Sequence, residues 1–168
     1  MRTSALLGTL AAMCLAASPP VAAAAGPERL GTVSFPVSCS ASVQVSFNRG
    51  VALLHDFWYE EARPQFERIL KSDPGCSMAH WGIAMSVFHQ IWDRPDEAAR
   101  ATGWRELKAA EAHPAKTTRE REYIAALADF YRPGAKDYQT RIEAYSAAMG
   151  GSRPQMLAAA SRRRCEFH

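Results

Sequence analysis

Hydrophobic residues between positions 43 and 92 recur every three or four residues, which is the spacing of one face of an α-helix. The same pattern returns after an offset of 34 residues. The offset pairs Phe47 with Trp81, Val51 with Met85, and His55 with His89. An internal repeat of this length is typical of stacked helix hairpins, so we expect the repeated unit to be a pair of antiparallel helices.

Six helices are predicted from the periodicity and from the residues that interrupt it. Pro74 and Gly75 end the second helix, and the residues from Thr117 to Glu120 form a capping-box pattern that begins the fifth. The predicted ranges are 43–55, 60–72, 77–90, 95–112, 117–131 and 136–149. No segment has the pattern of a central strand. The predicted fold is therefore all-α, with about three antiparallel helix hairpins stacked as a short α-solenoid.

The chain divides into four predicted segments. They are a signal peptide at 1–25, an extended lead-in at 26–42, the helical repeat domain at 43–149 and a basic tail at 150–168. The apolar run after Arg2 is shorter than the roughly 20 residues that span a bilayer, and small residues precede a cleavage site expected after Ala25. Cys14 gives a lipid-anchored protein as an alternative, although Met13 suits a lipidation motif poorly. A periplasmic or secreted protein without a transmembrane segment is expected.

The tail breaks the repeat pattern. After Met149 the sequence turns to Gly150, Gly151 and a run of arginines at 162–164. One hypothesis is that the chain is a truncated or frame-shifted version of a longer repeat protein. The alternative is a natural basic tail. Translation of the other reading frames downstream would distinguish the two.

Two cysteines lie in the expected mature domain, each just before a predicted helix. An exported protein meets an oxidising environment, which favours a disulfide between Cys39 and Cys76. The alternative is a pair of free thiols. The spacing matches no metal motif, because neither cysteine belongs to a C-x-x-C pair.

The positive formal charge of +3 comes from the ends of the chain. Without Arg2 and the four arginines of the tail, 15 of the 20 basic residues remain, against 16 of the 17 acidic residues once Glu166 is left out. A nearly neutral body gives no electrostatic reason to expect nucleic acid as a partner.

Residues 50–74 resemble a tetratricopeptide repeat. The positions that carry this resemblance are Gly50, Tyr59, Ala62, Phe66, Ile69 and Pro74, with Ala84 in place of the glycine in the second copy. Ser46 replaces the tryptophan usual in the family, and Arg49 stands where leucine is common. The chain also resembles the N-terminal part of longer exported bacterial tetratricopeptide proteins. The resemblance implies a fold and a location, but no activity.

In the register of that family, one face of the stacked hairpins forms a concave groove. The resemblance assigns Phe47, Val51, His55, Trp81, Met85 and His89 to it. Aromatic and methionine side chains suit an apolar peptide or helix, so the leading hypothesis is a scaffold that binds a protein or peptide. The alternative is that the apolar members belong to the core, as helical spacing usually indicates.

A different function would use His55 and His89 to carry a small ligand, a metal or haem. A transition-metal site needs three or four converging ligands, and only these two are assigned to one face. The sequence has no haem-attachment motif and no phosphate loop, serine-hydrolase motif or zinc-protease motif. We therefore expect neither a cofactor nor an enzyme. An accessory domain of a longer enzyme or complex is a further alternative.

Overall fold

The computed structural model describes residues 30–89, 93–134 and 137–150. A short 3-10 helix at Ala41–Val43 precedes α1 (Gln44–His55). The next helices are α2 (Tyr59–Ser72), α3 (Ser77–Ser86), α4 (Glu97–Ala112), α5 (Thr118–Tyr131) and α6 (138–150). The described residues contain no strand, which confirms the all-α prediction.

Consecutive helices from α1 to α5 pack against each other, and α3 also contacts both α1 and α5. The phenyl ring of Phe66 on α2 lies between α1 and α3 and is fully buried. A Cβ added to Gly50 would lie 2.7 Å from this ring, and one added to Gly82 would lie 2.4 Å from it. Two glycines therefore allow one phenylalanine to fill the space between three helices.

A second aromatic residue joins the later helices in a similar way. Tyr131 on α5 is buried, and a Cβ on Gly103 of α4 would lie 2.4 Å from its ring. The Tyr131 hydroxyl donates a hydrogen bond of 2.9 Å to the carbonyl oxygen of Ala84 on α3. Tyr131 thus connects α3, α4 and α5, because its ring fills a gap and its hydroxyl has a buried acceptor.

The helix ends agree with the capping prediction at α5. The Thr117 side chain accepts a hydrogen bond from the Glu120 amide, and the Glu120 carboxylate accepts one from the Thr117 amide. This reciprocal pair is the predicted capping box. Asp96 caps α4 in a simpler way, because its carboxylate accepts a hydrogen bond of 2.7 Å from the Ala99 amide.

The third helix is shorter than predicted. Its last residue is Ser86, whereas the periodicity predicted a helix to about residue 90. Phe88 turns into the core against Phe130, with ring centroids 4.4 Å apart, and His89 has a φ of 46°. A residue with left-handed backbone cannot continue a right-handed α-helix. The hydrophobic periodicity of the sequence therefore continues beyond the last residue of α3.

The repeat-defining positions lie where the hairpins pack. All except Pro74 are buried, namely Gly50, Tyr59, Ala62, Phe66, Ile69 and Ala84. Pro74 is exposed in the turn that separates α2 from α3. Burial at such positions is common to packed helices of any kind, so the tetratricopeptide identity stays a prediction.

Several predictions lie outside the described residues. They concern the signal peptide, its cleavage site and the basic tail. Among the helices that the structure describes, none is both long enough and apolar enough to cross a membrane.

Candidate binding face

A disulfide joins the lead-in to the beginning of α3. The sulfur atoms of Cys39 and Cys76 are 2.05 Å apart, and their Cα atoms are 5.0 Å apart. The predicted pairing is therefore confirmed, and the free-thiol alternative is wrong. Next to the bridge, the Ser40 amide donates a hydrogen bond of 2.7 Å to the Asp73 carboxylate. The end of the lead-in is thus fixed at the turn that separates α2 from α3.

Residues 30–40, here called the N-terminal strap, carry neither helix nor strand hydrogen bonding before the chain enters the 3-10 helix. The Phe35 ring of the strap lies among three rings from alternate helices. Its centroid is 5.7 Å from that of Phe47 on α1, 5.8 Å from that of Trp81 on α3 and 5.5 Å from that of Tyr123 on α5. The Arg119 guanidinium lies 5.0 Å from the same centroid. Phe35 therefore occupies an aromatic pocket on the face of α1, α3 and α5.

Two amide side chains of α1 bind the strap backbone. Asn48 Oδ1 accepts a hydrogen bond of 3.2 Å from the Phe35 amide. Gln44 donates to the Phe35 carbonyl at 2.9 Å and accepts from the Val37 amide at 3.0 Å. Gln44 also donates to Asn48 Oδ1 at 2.9 Å, which fixes both amide groups. The backbone of the strap is thus bound by two side-chain amides of α1.

The carboxylate that caps α5 also binds the strap. Glu120 is fully buried, and its carboxylate accepts a hydrogen bond of 2.5 Å from the Ser38 amide and another from the Ser38 hydroxyl. The Ser38 hydroxyl oxygen in turn accepts a hydrogen bond of 3.2 Å from the Lys116 amide. Two residues before Ser38, the Pro36 carbonyl oxygen accepts a hydrogen bond from the Arg119 guanidinium. Helix α5 therefore binds the strap as α1 does, but at Pro36 and Ser38.

The apolar residues assigned to the groove lie beneath the strap or in the core. Phe47, Val51 and Trp81 are buried, and Met85 is partly buried. Phe47 and Trp81 both contact Phe35 of the strap. The role of the assigned groove residues in binding a separate partner stays a prediction, because the contacts that the structure shows for Phe47 and Trp81 are with their own chain.

The two histidines occupy different surroundings. His55 is exposed at the end of α1. The His89 ring stacks on Tyr59 with centroids 4.6 Å apart, and its two nitrogens lie 3.1 Å from Asp93 Oδ1 and 3.1 Å from the Ser86 carbonyl oxygen. Both nitrogens of His89 already have partners. The metal-carrier role of the pair stays an alternative prediction.

The described residues bring one group of three potential metal ligands together. These are Cys39, Asp73 and Cys76, whose ligand atoms lie within 4.8 Å of one another. The two sulfurs are bonded to each other, and the aspartate accepts the Ser40 amide. The group does not include either histidine, and a disulfide sulfur is not the thiolate that a metal prefers.

Tyr59 lies between the exposed turn after α1 and the His89 ring. Its hydroxyl is buried and has no hydrogen-bond partner within the described part of the chain. Burial raises the pKa of Tyr59, and the negative charge of Asp93 raises it further. The adjacent Phe57 has a φ of 60° and is partly exposed, as is Trp58. Trp58 is about half exposed, with 52% of its surface accessible.

Several residues of the binding face were missed by the sequence analysis. Phe35 lies in a part of the lead-in where apolar and polar residues alternate only weakly. Gln44 and Asn48 are ordinary polar residues on α1. Glu120 was noticed as a cap, which describes one of its two roles. No local signal indicates that Ser38 lies against a residue 82 positions later.

The fold and the bridge together define a class: an all-helical, disulfide-linked domain whose N-terminal strap covers one helical face. No protein-family model, no curated protein and no solved structure matches the chain.

Proposed function

We propose that the protein is an exported helical-repeat scaffold that binds an extended segment of a protein partner on the face of α1, α3 and α5. This face corresponds to the concave groove of a tetratricopeptide arrangement, which belongs to the same proposal. The disulfide is compatible with an extracellular compartment, and a periplasmic or secreted location is proposed with the scaffold.

The observation that supports this function is the strap itself. The strap backbone on this face donates hydrogen bonds to Asn48 and Gln44 and accepts one from Gln44, and an aromatic side chain fills the pocket formed by Phe47, Trp81 and Tyr123. Such a combination of main-chain hydrogen bonds and side-chain pockets is how proteins recognise extended peptides. A segment of similar chemistry from a partner would find the same donors, acceptors and rings.

The strap competes with any outside peptide, because it belongs to the same molecule. Tethering gives a segment an effective concentration of the order of millimolar, so an external peptide must displace it. Replacing Phe35 with alanine removes the strap's aromatic ring from the pocket. The resulting full-length F35A chain is therefore the suitable receptor for a binding experiment.

The test is a titration of fluorescein-labelled peptide with the sequence of residues 30–38, followed by fluorescence anisotropy. We expect the F35A chain to bind the peptide at least about tenfold more tightly than the unmodified chain, since its own strap competes less. Adding Asn48→Ala to the F35A chain should weaken binding, because the amide acceptor for the peptide is lost. Adding Val45→Ala, at an exposed position on the same helix, should leave binding unchanged.

Circular dichroism of each variant provides the folding control. If the F35A chain keeps its helical spectrum and still does not bind the peptide, the scaffold proposal is wrong for this face. Equal losses for Asn48→Ala and Val45→Ala would place the peptide elsewhere on the molecule.

A further inference from the structure

We propose that this face selects segments in which an aromatic residue is followed, three positions later, by serine or threonine. The inference rests on the proposed function and names the class of ligand. In the strap these two positions are Phe35 and Ser38. The occupant is therefore an extended segment of a partner that carries the same two side chains at the same spacing.

The hydroxyl position is selected by matched hydrogen bonds. The Ser38 hydroxyl donates to the Glu120 carboxylate and accepts from the Lys116 amide at 3.2 Å. A side chain at this position must therefore provide one donor and one acceptor on the same atom, as serine and threonine do. Alanine would leave a fully buried carboxylate with one donor fewer, and an unsatisfied charged group is costly.

An acidic side chain is excluded for a related reason. An aspartate or glutamate would place a second carboxylate against Glu120, and like charges in a buried site repel strongly. The face therefore distinguishes a hydroxyl from an acidic side chain, as well as from a methyl group. By the same reasoning, phosphorylation of the ligand's hydroxyl would abolish binding.

The aromatic position is selected by shape and charge. Three rings surround Phe35, and the Arg119 guanidinium lies over it. An aromatic side chain fills this pocket and faces the cation with its negative ring surface, whereas an aliphatic side chain provides only apolar area. The amides at the aromatic position and two residues later both donate hydrogen bonds, so neither position accepts proline.

The experiment compares five labelled peptides with the sequence of residues 30–38 on the F35A chain. Besides the parent peptide, they carry Ser38→Ala, Ser38→Thr, Ser38→Asp or Ser34→Ala. Ser34 is exposed in the strap, so its replacement is the matched control for loss of a serine hydroxyl. We expect Ser38→Ala to weaken binding at least about tenfold, Ser38→Asp to weaken it further, and Ser38→Thr and Ser34→Ala to change it less than about threefold.

The outcomes separate this inference from the proposed function. If the parent peptide binds but Ser38→Ala binds equally well, the hydroxyl selection is wrong and the scaffold function stands. If none of the peptides binds to a folded F35A chain, both are wrong, and the strap is only a structural segment.

A second measurement avoids any external peptide. Hydrogen exchange of the Phe35 and Val37 amides is recorded in otherwise unmodified chains with Ser38→Ala, Ser38→Thr or Ser34→Ala. We expect Ser38→Ala to accelerate exchange at both amides about tenfold, because the strap opens more often when its hydroxyl contact is missing. Equal exchange in the Ser38→Ala and Ser34→Ala chains would overturn the inference even if the F35A chain did not fold.

Discussion

At the scale of single residues, the packing of Phe66 depends on two glycines. Gly82 is the closer of the two, since an added Cβ would lie 2.4 Å from this fully buried ring. Over-packing of this kind costs about 1–3 kcal/mol, while alanine gains about 1 kcal/mol in helix propensity over glycine. The net of these two effects is a loss of up to about 2 kcal/mol, so we expect Gly82→Ala to lower the free energy of unfolding by that amount at most in urea titrations.

The control for this prediction replaces the Phe66 ring with a smaller side chain. If the clash with Phe66 is the cause, adding Phe66→Leu should make Gly82→Ala less damaging than it is alone, as a double-mutant cycle would measure. Gly31→Ala should have almost no effect, because no atom lies within 4 Å of the added Cβ. A stabilising Gly82→Ala would show that the helix propensity outweighs the contact.

Tyr131 gives a prediction about alkaline pH. Burial raises the pKa of Tyr131 above its ordinary value of 10.0, and the negative charge of ionised Tyr145 adds to the rise. Above about pH 10 the unfolded chain loses this proton while the folded chain keeps it, so the free energy of unfolding falls as pH rises. We expect Tyr131→Phe to make this fall shallower between pH 9.5 and 11, as urea titrations at several pH values would measure.

At neutral pH the same replacement has a different effect. It removes the hydrogen bond to the Ala84 carbonyl oxygen and should cost about 0.5–1.5 kcal/mol. Some alkaline destabilisation should remain, because burial raises the pKa of Tyr59 and of Tyr145 as well. An unchanged pH slope in the Tyr131→Phe variant would contradict the assignment.

The sequence predicted part of this residue-scale packing. Gly50 was one of the positions that carry the tetratricopeptide resemblance, and an added Cβ there would lie 2.7 Å from the Phe66 ring. Gly82 was not assigned, because the offset of 34 pairs Gly50 with Ala84. The ring of Phe66 is wide enough to contact both neighbouring helices, and a one-dimensional repeat cannot show that two glycines meet one ring.

At the scale of elements, the helices were predictable and the strap was not. Hydrophobic periodicity and end signals located α1 to α5 because these signals act over a few residues. The end of α3 was misplaced because Phe88 and Met85 keep the apolar period, while the left-handed backbone of His89 leaves no mark in the pattern. The strap's contacts lie far along the chain, between Ser38 and Glu120 for example, and alternation over a few residues says nothing about them.

The strap also changes how the candidate groove is interpreted. The sequence offered two interpretations of Phe47 and Trp81, as groove residues or as core residues. In the structure both residues are buried and both contact Phe35 of the strap. Their burial agrees with the core interpretation, and their role as groove residues stays a prediction.

At the scale of the whole molecule, hydrogen bonds, an aromatic contact and a disulfide hold the strap on the helices. The strap contacts α1 through amide side chains, α5 through Glu120 and Arg119, and α3 through Trp81. The disulfide adds a covalent connection to the start of α3. Because the bridge encloses the whole first hairpin, it affects global stability as well as the position of the strap.

The bridge therefore gives a prediction with two separable parts. It closes a separation of 37 residues, which corresponds to about 3–4 kcal/mol in the loop-entropy model. We expect a Cys39→Ser, Cys76→Ser double variant to have a free energy of unfolding lower by this amount, as measured by urea titration. The loss is a large share of the 5–15 kcal/mol typical of a domain.

The second part concerns the strap alone. Without the bridge its effective concentration at the face falls, so hydrogen exchange at the Phe35 and Val37 amides should rise in native buffer before the helices unfold. The reduced, unmodified chain is the matched control and should behave like the double variant, since both lack the same bond. If only global stability fell while strap exchange stayed slow, the hydrogen bonds that Gln44, Asn48 and Glu120 form with the strap would hold it without the bridge. Displacement by a partner would then depend on those contacts and not on the bridge.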